Sequence, residues 1–238
     1  MSYFAAAGAA QELSAVPARR PGWRRYVALG DSLTAGRGDL GPDGRHIGWA
    51  RRLAEILTQR TAVPCAVTNL AVDGADVATV RRLQLPGVSA LGPDLVSLTV
   101  GMNDVRLREF DPDAFAEDLA AMLDGLVTTG ATILTCTLPD VSSVVELPAE
   151  HVAIGRLRLR TASEIIRRES ARRRALCLDM WHMPAVVTDP ALFTADRLHP
   201  NTTGHRRLAA AFAELLLAGP TYIGPGPTGL TPTGPAPI

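Results

Sequence analysis

Short apolar runs alternate along this chain with longer stretches in which apolar side chains recur every three or four residues. Five runs rich in Val, Ile, Leu or Thr are typical of strands buried on both faces, at residues 25–30, 65–70, 94–100, 131–137 and 175–179. Five stretches have the spacing of amphipathic helices, at residues 48–59, 76–84, 113–128, 152–174 and 203–217. This alternation predicts an α/β fold in which helices cover both faces of a parallel sheet.

The third predicted helix shows the pattern clearly. Leu119, Met122, Leu123 and Leu126 fall on one face, and Gly130 follows at a position where a helix commonly ends. In sheets of this kind, ligands bind beyond the carboxyl ends of the strands. The polar fragments that follow the predicted strands are therefore the first candidates for a functional site.

The two ends of the chain lack this pattern. Residues 1–22 contain Ala, Gly and Pro without a sustained period, which predicts a flexible N-terminal arm. Residues 219–238 are dense in Gly, Pro and Thr, and we predict a disordered tail, because proline blocks regular pairing and glycine raises the entropy cost of ordering. A single domain over residues 23–218 is long enough to bury a sizeable core.

Charge and composition narrow the class of protein. The chain of 238 residues has 24 basic and 24 acidic side chains, so its net charge is zero and nothing favours a nucleic-acid partner. The first residues lack the basic and apolar regions of a secretory signal, and no window reaches the roughly 18 apolar residues of a membrane span. We expect a cytoplasmic protein without stable membrane insertion, and the sequence leaves its oligomeric state open.

No residue cluster indicates a metal or an organic cofactor. Cys65, Cys136 and Cys177 leave at least one thiol unpaired, and each lies in or beside a strand-like run, the usual place of a buried, inert cysteine. The sequence contains no close Cys/His cluster with ligand spacing and no glycine motif that would cradle phosphates. We therefore expect chemistry that uses side chains alone.

A candidate nucleophile directly follows the first predicted strand, in the fragment Gly30-Asp31-Ser32-Leu33. A strand that ends in a tight turn can display a serine, but the hydroxyl needs a base within hydrogen-bond reach to react at neutral pH. Thr34 stands where the nucleophile elbow of α/β-hydrolases has its second glycine, so that motif does not match. The alternative is that Asp31 or Ser32 simply caps a helical turn.

The candidate base is His199, with Asp196 three residues before it. At this spacing a carboxylate can hold the Nδ1–H of the imidazole, fix its tautomer and leave Nε2 free to face a serine. The alternative is an N-cap aspartate followed by a surface histidine. Asp179 and His182 repeat the spacing after another predicted strand, whereas His205 is expected to be exposed at a polar helix start.

Three groups are candidates for stabilising the oxyanion of a tetrahedral intermediate. They are the backbone N–H of Ser32, the backbone N–H of Gly74 and the side-chain amide of Asn103. Glycine permits a close backbone approach to a ligand, and asparagine offers N–H donors without a charge. Ordinary turns after two strands would explain the same residues.

In this order and at these intervals, Gly30-Asp31-Ser32-Leu33, Gly74, Gly101-x-Asn103-Asp104 and Asp196-x-x-His199 resemble the four sequence blocks of the SGNH (GDSL-type) hydrolases. The resemblance covers about residues 25–217 and implies a three-layer α/β/α sandwich around a five-stranded, parallel, flavodoxin-like sheet. It also implies Ser32 as nucleophile, Asp196 and His199 as the rest of a triad, and Ser32, Gly74 and Asn103 as oxyanion-hole donors, with no metal or cofactor.

The resemblance implies a serine esterase that cleaves a small acyl, acetyl or lipid ester through an acyl-enzyme on Ser32. An acyltransferase or a thioesterase could use the same triad. A different class is a non-catalytic anion-binding module that uses the eight arginines of residues 152–174. We interpret those arginines instead as a solvated helix face, because Glu164 and Glu169 are available as partners.

Overall fold

The structure, a computed structural model, describes residues 22–218 except 108, 144–147 and 184–188. The predicted tail and all but the last residue of the predicted arm lie outside the described residues. The strands are β1 (Arg25–Gly30), β2 (Ala66–Asn69), β3 (Leu95–Thr99), β4 (Thr132–Cys136) and β5 (Leu176–Leu178). The helices are α1 (Ser32–Ala35), α2 (Gly48–Thr61), α3 (Val77–Leu83), α4 (Met102–Arg106), α5 (Pro112–Val127), α6 (Ala149–Arg172) and α7 (Thr202–Ala218).

The five strands form one parallel sheet in the order β2-β1-β3-β4-β5. This is the flavodoxin-like order, and it confirms the predicted sheet. The edge strand β2 lies on one side of β1, and β3, β4 and β5 follow in order on its other side. The strand order therefore reverses between β1 and β3, which is where ligands bind in open sheets of this type.

Helices cover both faces of the sheet, as the three-layer prediction requires. Val27 and Leu29 of β1 face the apolar cluster that includes α3, α5 and α6, whereas Tyr26 and Ala28 face the cluster that includes α2 and α7. Successive side chains of a strand point to opposite faces, so both faces of β1 are apolar. This explains why a strand such as β1 is rich in apolar residues at successive positions.

The first turn of α2 is capped by side chains that are distant in sequence. The backbone N–H of Gly48 donates to Asp39 Oδ2 (3.1 Å), and that of Trp49 donates to His205 Nδ1 (3.2 Å). His205 Nε2 donates in turn to the backbone carbonyl of Arg37 (2.9 Å), which identifies the neutral tautomer. The expectation of an exposed His205 is wrong, because its side chain is fully buried and joins α7 to α2 and to the end of α1.

We expect His205→Ala to lower the free energy of unfolding by about 1–3 kcal/mol, because the Trp49 N–H and the Arg37 carbonyl both lose a buried partner. Urea unfolding measures this loss, with the exposed His151→Ala as control. Burial lowers the pKa of His205, so the stability that it contributes is present above its unfolded pKa of about 6.5. That stability is lost as the pH falls through the folded pKa.

The difference in stability between wild type and His205→Ala should therefore narrow below about pH 6.5. A difference that widens at low pH would contradict this account of the histidine. Equal losses in His205→Ala and His151→Ala would show that the hydrogen bonds at the start of α2 contribute nothing.

Most of the arginine-rich segment forms α6, and most of its arginines have acidic partners. Arg160 pairs with Glu164 at 2.9 Å. Glu169 is buried and accepts from Arg173 at 2.7 Å and from two further arginines of the same helix. This arrangement agrees with the interpretation of these arginines as a solvated helix face with Glu164 and Glu169 as partners. None of the described helices is both long enough and apolar enough to cross a lipid bilayer.

The three cysteines lie in or near the strands and are free thiols. Cys136 is buried, while Cys65 and Cys177 are partly exposed. Burial raises the pKa of the Cys65 thiol to about 11 and also raises the pKa of the other two thiols. A thiol with a raised pKa carries little thiolate at neutral pH, so these cysteines are poor nucleophiles.

Candidate active site

The turn after β1 displays Ser32 at the carboxyl end of the sheet. Gly30 has a φ of +148°, and a Cβ there would lie 2.4 Å from the Thr99 carbonyl oxygen, so only glycine fits. Asp31 Oδ1 accepts from the backbone N–H of Leu33 (3.0 Å) and caps α1. Asp31 therefore caps α1 without preventing Ser32 from acting as a nucleophile. Ser32 is the first residue of α1, so its backbone N–H has no acceptor within the helix.

A buried glutamine that the sequence analysis missed holds this strand end in place. The backbone N–H of Gly30 donates to Gln84 Oε1, and Gln84 Nε2 donates to the Gly30 carbonyl oxygen, both at 2.9 Å. Gln84 follows directly after α3 and is 4% exposed. Its amide makes the two hydrogen bonds that a neighbouring strand would make with Gly30, and so fixes the backbone two residues before Ser32. No local sequence signal distinguishes it from an ordinary helix-end residue.

Ser32, His199 and Asp196 form one hydrogen-bonded chain. Ser32 Oγ lies 2.9 Å from His199 Nε2, and His199 Nδ1 lies 2.7 Å from Asp196 Oδ2. With the Nδ1 proton donated to the carboxylate, Nε2 of the neutral ring is left to accept from the serine hydroxyl. Burial opposes the ionisation of Asp196, but hydrogen bonds from the backbone and ring of His199 outweigh it and hold the pKa of Asp196 below its usual range.

A tight turn folds Asp196 back onto the histidine that follows it. Asp196 Oδ1 accepts from the backbone N–H groups of Leu198 (2.9 Å) and His199 (3.0 Å), and from Thr194 Oγ1 (2.7 Å). Arg197 adopts a left-handed φ of +55°, which costs a non-glycine residue about 1–3 kcal/mol. The turn bonds of Asp196 therefore stabilise a strained backbone, and the same carboxyl group orients the ring.

The second Asp-x-x-His pair makes the same local contact in another place. His182 Nδ1 lies 2.8 Å from Asp179 Oδ2, but His182 is exposed and lines a surface groove along α6. Asp179 also accepts from Arg167 and Thr137. The structure thus brings only one of the two pairs to Ser32.

Gly74 and Asn103 line the same cavity as Ser32 and His199. Gly74 lies in the loop between β2 and α3 with a φ of +76°, and a Cβ placed on it would meet nothing within 4 Å. Its backbone is therefore open to a ligand. Asn103 lies in α4, directly after β3. The carboxyl ends of β1 and β3 and the loop after β2 thus bring together Ser32, Asn103 and Gly74. The turn before α7 adds His199 and, behind it, Asp196.

Two buried carboxyl groups, those of Asp31 and Asp104, make hydrogen bonds in the part of the site around Asn103. Asn103 Nδ2 donates to the Ala75 carbonyl oxygen (3.0 Å) and to Asp31 Oδ2 (3.2 Å). The Asp104 carboxylate accepts from the backbone N–H of Val77 (3.1 Å), at the start of α3. Burial raises the pKa of Asp31 and that of Asp104 to about 6 each. These contacts hold the loop that contains Gly74 against α4; neither supporting role was predicted.

The cavity next to Ser32 has a volume of about 460 Å³, within the range of small-ligand sites. Apolar side chains from the ends of β3, β4 and β5 and from α7 form much of its wall, among them Val100, Leu138, Leu178, Met180 and Leu208. Across the described part of the chain, no group of three or more His, Cys, Asp or Glu side chains is arranged to hold a metal ion. The cavity offers an apolar surface beside a serine and a histidine.

A family model for the GDSL-like lipase/acylhydrolase family matches residues 28–207. The chain belongs to this family. The membership confirms the resemblance to the GDSL-type hydrolases that the four sequence blocks indicated. This GDSL-like chain is 35% identical over 99 residues to Lipase 2 of Streptomyces coelicolor. That match spans 38% of this chain and 33% of the Streptomyces protein.

Solved structures of similar fold include two with hydrolase descriptions. The acetylxylan esterase Axe2 of Geobacillus stearothermophilus superposes with a TM-score of 0.68 and 19% identity, over 83% of this chain and 96% of Axe2. A lipase/acylhydrolase of Enterococcus faecalis superposes with a TM-score of 0.66 and 19% identity, over 82% of this chain and 96% of its own. At these identities the likeness establishes the fold of the GDSL-like chain.

Proposed function

We propose that this protein hydrolyses a carboxylic ester through an acyl-enzyme on Ser32. The observation that carries the proposal is the contact of Ser32 Oγ with His199 Nε2 at 2.9 Å, beside an apolar cavity. The carboxylate of Asp196 at 2.7 Å from the other ring nitrogen completes the set. Nucleophile, base and orienting carboxylate are the parts that acyl transfer requires.

In the first half-reaction Ser32 Oγ attacks the ester carbonyl carbon while His199 Nε2 takes the hydroxyl proton. The Asp196 carboxylate stabilises the imidazolium that forms. Negative charge gathers on the former carbonyl oxygen, where the backbone N–H groups of Ser32 and Gly74 and the amide of Asn103 can donate. For Asn103 to donate, its longer bond to Asp31 has to be exchanged for one to the oxyanion.

The tetrahedral intermediate collapses when the bond to the alcohol oxygen breaks, and the imidazolium of His199 gives its proton to that oxygen. The acyl group remains on Ser32 as an ester. Water then attacks the acyl carbon, with its proton passing to His199 Nε2 and onward to Ser32 Oγ. One ester and one water yield one carboxylic acid and one alcohol, with no redox change.

The same parts would serve a thioesterase or, if an alcohol intercepts the acyl-enzyme in place of water, an acyltransferase. A non-catalytic anion-binding module is less well supported. It gives no reason for the serine, histidine and aspartate to contact one another. Most of the arginines of α6 that it would use are paired with Glu164, Glu169, Asp140 or Asp179. Hydrolysis of a carboxylic ester remains the principal candidate function.

Labelling with a fluorophosphonate, which reacts with activated serines, tests the proposal. We expect one adduct by intact mass on wild type and none on Ser32→Ala, while the exposed Ser89→Ala labels like wild type. A screen of esters with different acyl lengths, run on the same three proteins, then shows hydrolysis that depends on Ser32. Labelling that survives in Ser32→Ala, or folded wild type that neither labels nor cleaves any ester, would overturn the proposal.

A further inference from the structure

Three arginines line the cavity that holds Ser32. Arg37 follows α1, Arg106 ends α4, and Arg207 lies in the second turn of α7; all three are exposed. The carboxyl group that lines the same cavity in the described part of the chain is Asp31, which is buried and already accepts from Leu33 and Asn103. The cavity therefore combines an apolar wall with a cationic, solvent-facing rim, formed by Arg37, Arg106 and Arg207.

The guanidinium groups of this rim are weakly engaged. Arg37 lies 3.6 Å from Asp73 and Arg207 lies 3.7 Å from Asp189, both beyond hydrogen-bond distance and largely exposed. The guanidinium group of Arg106 makes no hydrogen bond or ion pair with any residue that the structure describes. Exposed ion pairs of this length contribute little, so these side chains are free to exchange their partners for a ligand.

Several arginines in and directly after α6 differ in this respect. Arg160 lies 2.9 Å from Glu164, and Arg173 lies 2.7 Å from both Glu169 and Asp124. A ligand anion at α6 would have to displace carboxylates that are already at hydrogen-bond distance. The acidic partners of Arg37 and Arg207 at the cavity are therefore farther away than those of Arg160 and Arg173.

Resting on the proposed function, we infer that the substrate is an amphiphilic ester whose apolar part enters the cavity and whose solvent-facing part carries an anionic group. Arg106 and Arg207 hold that group, a carboxylate or a phosphate. The planar guanidinium fork of arginine matches both anions. The apolar side chains Leu178, Met180 and Leu208 bury the hydrocarbon part.

Two esters that differ only in charge test this inference. One is 3-octanoyloxy-4-nitrobenzoate, which is anionic, and the other is the corresponding neutral benzamide. We expect kcat/KM to favour the anionic ester roughly tenfold at low ionic strength. The preference should shrink as salt is added, because exposed charges are screened over about 10 Å at 0.1 M.

The double variant Arg106→Gln/Arg207→Gln should bring the ratio of the two kcat/KM values close to one. A ratio is used because a general loss of activity affects both esters equally and cancels. The matched control is Arg82→Gln/Arg206→Gln, which removes two exposed arginines of α3 and α7 that do not line the cavity. It should leave the preference as in wild type.

Binding provides a readout that does not require turnover. Octyl phosphate and N-octylsuccinamate carry the two anions on the same hydrocarbon chain, and calorimetry on wild type tells which headgroup binds more tightly. Binding that is lost in Arg106→Gln/Arg207→Gln supports the inference even if neither ester is cleaved, in which case only the proposed function fails. Equal cleavage of both esters, without salt or arginine dependence, overturns the inference and leaves the proposed function intact.

Discussion

Asp196→Asn is expected to lower kcat by about four orders of magnitude. The carboxylate of Asp196 accepts the Nδ1 proton of His199 at 2.7 Å and so leaves Nε2 to accept from Ser32. An amide can donate to Nδ1 instead, which moves the ring proton to Nε2 and produces a histidine that cannot act as a base. The remaining carbonyl oxygen of the asparagine can keep the turn bonds to Leu198 and His199, so the loop stays folded.

The chain offers a closely matched control for this substitution. Asp179→Asn changes an aspartate at the same spacing from a histidine, with a nearly identical contact of 2.8 Å to His182. We expect its kcat to stay within about threefold of wild type, because that pair lies away from Ser32. Ester hydrolysis measured on both variants, together with urea unfolding, decides the matter. A larger loss in Asp179→Asn would mean that the wrong Asp-x-x-His pair was selected.

Asn103→Ala should lower kcat by about two to three orders of magnitude with a smaller effect on KM. The amide is matched to charge that develops on the carbonyl oxygen only during the reaction, so its loss acts on the transition state more than on binding. The substitution also removes donors from the Ala75 carbonyl oxygen and from Asp31. Unfolding measurements separate that structural loss from the catalytic one.

Asn69→Ala is the control for Asn103→Ala. Asn69 also donates its side-chain amide to a backbone carbonyl, that of Thr34 at 2.7 Å, but it does not line the cavity. We expect a comparable change in unfolding free energy and a kcat within about threefold of wild type. If the two variants lose activity equally, Asn103 acts as a structural residue and not as an oxyanion donor.

All five strands and the five longer helices could be predicted from the sequence pattern, because helices cover both faces of the sheet; the short helices α1 and α4 were not predicted. A strand such as β3 shows as a short run dominated by Leu and Val, and α5 shows as an apolar stripe that begins after an aspartate and ends before Gly130. The boundary was least accurate at α6, which begins at Ala149 rather than at residue 152, because its first residues carry no apolar period. Periodicity is a property of the local sequence, so it predicts local secondary structure.

Contacts between distant parts of the chain could not be predicted in this way. His205 reaches Trp49 across 156 positions and Gln84 reaches Gly30 across 54, and neither partner changes the pattern around the other. For the same reason, the local sequence does not distinguish Asp196 from Asp179 as the partner of the catalytic base. Both make the same contact within three residues, so only the folded sheet determines which histidine lies at Ser32.

The separation of Ser32 from His199 by 167 positions has a consequence during synthesis of the protein. A growing chain forms β1 and its serine early, but the turn that carries the base is synthesised after all five strands and directly before α7. On the proposed mechanism, a partly synthesised domain holds a serine without a base and cannot attack an ester. The return of activity after denaturation would therefore report a finished domain rather than a local structure.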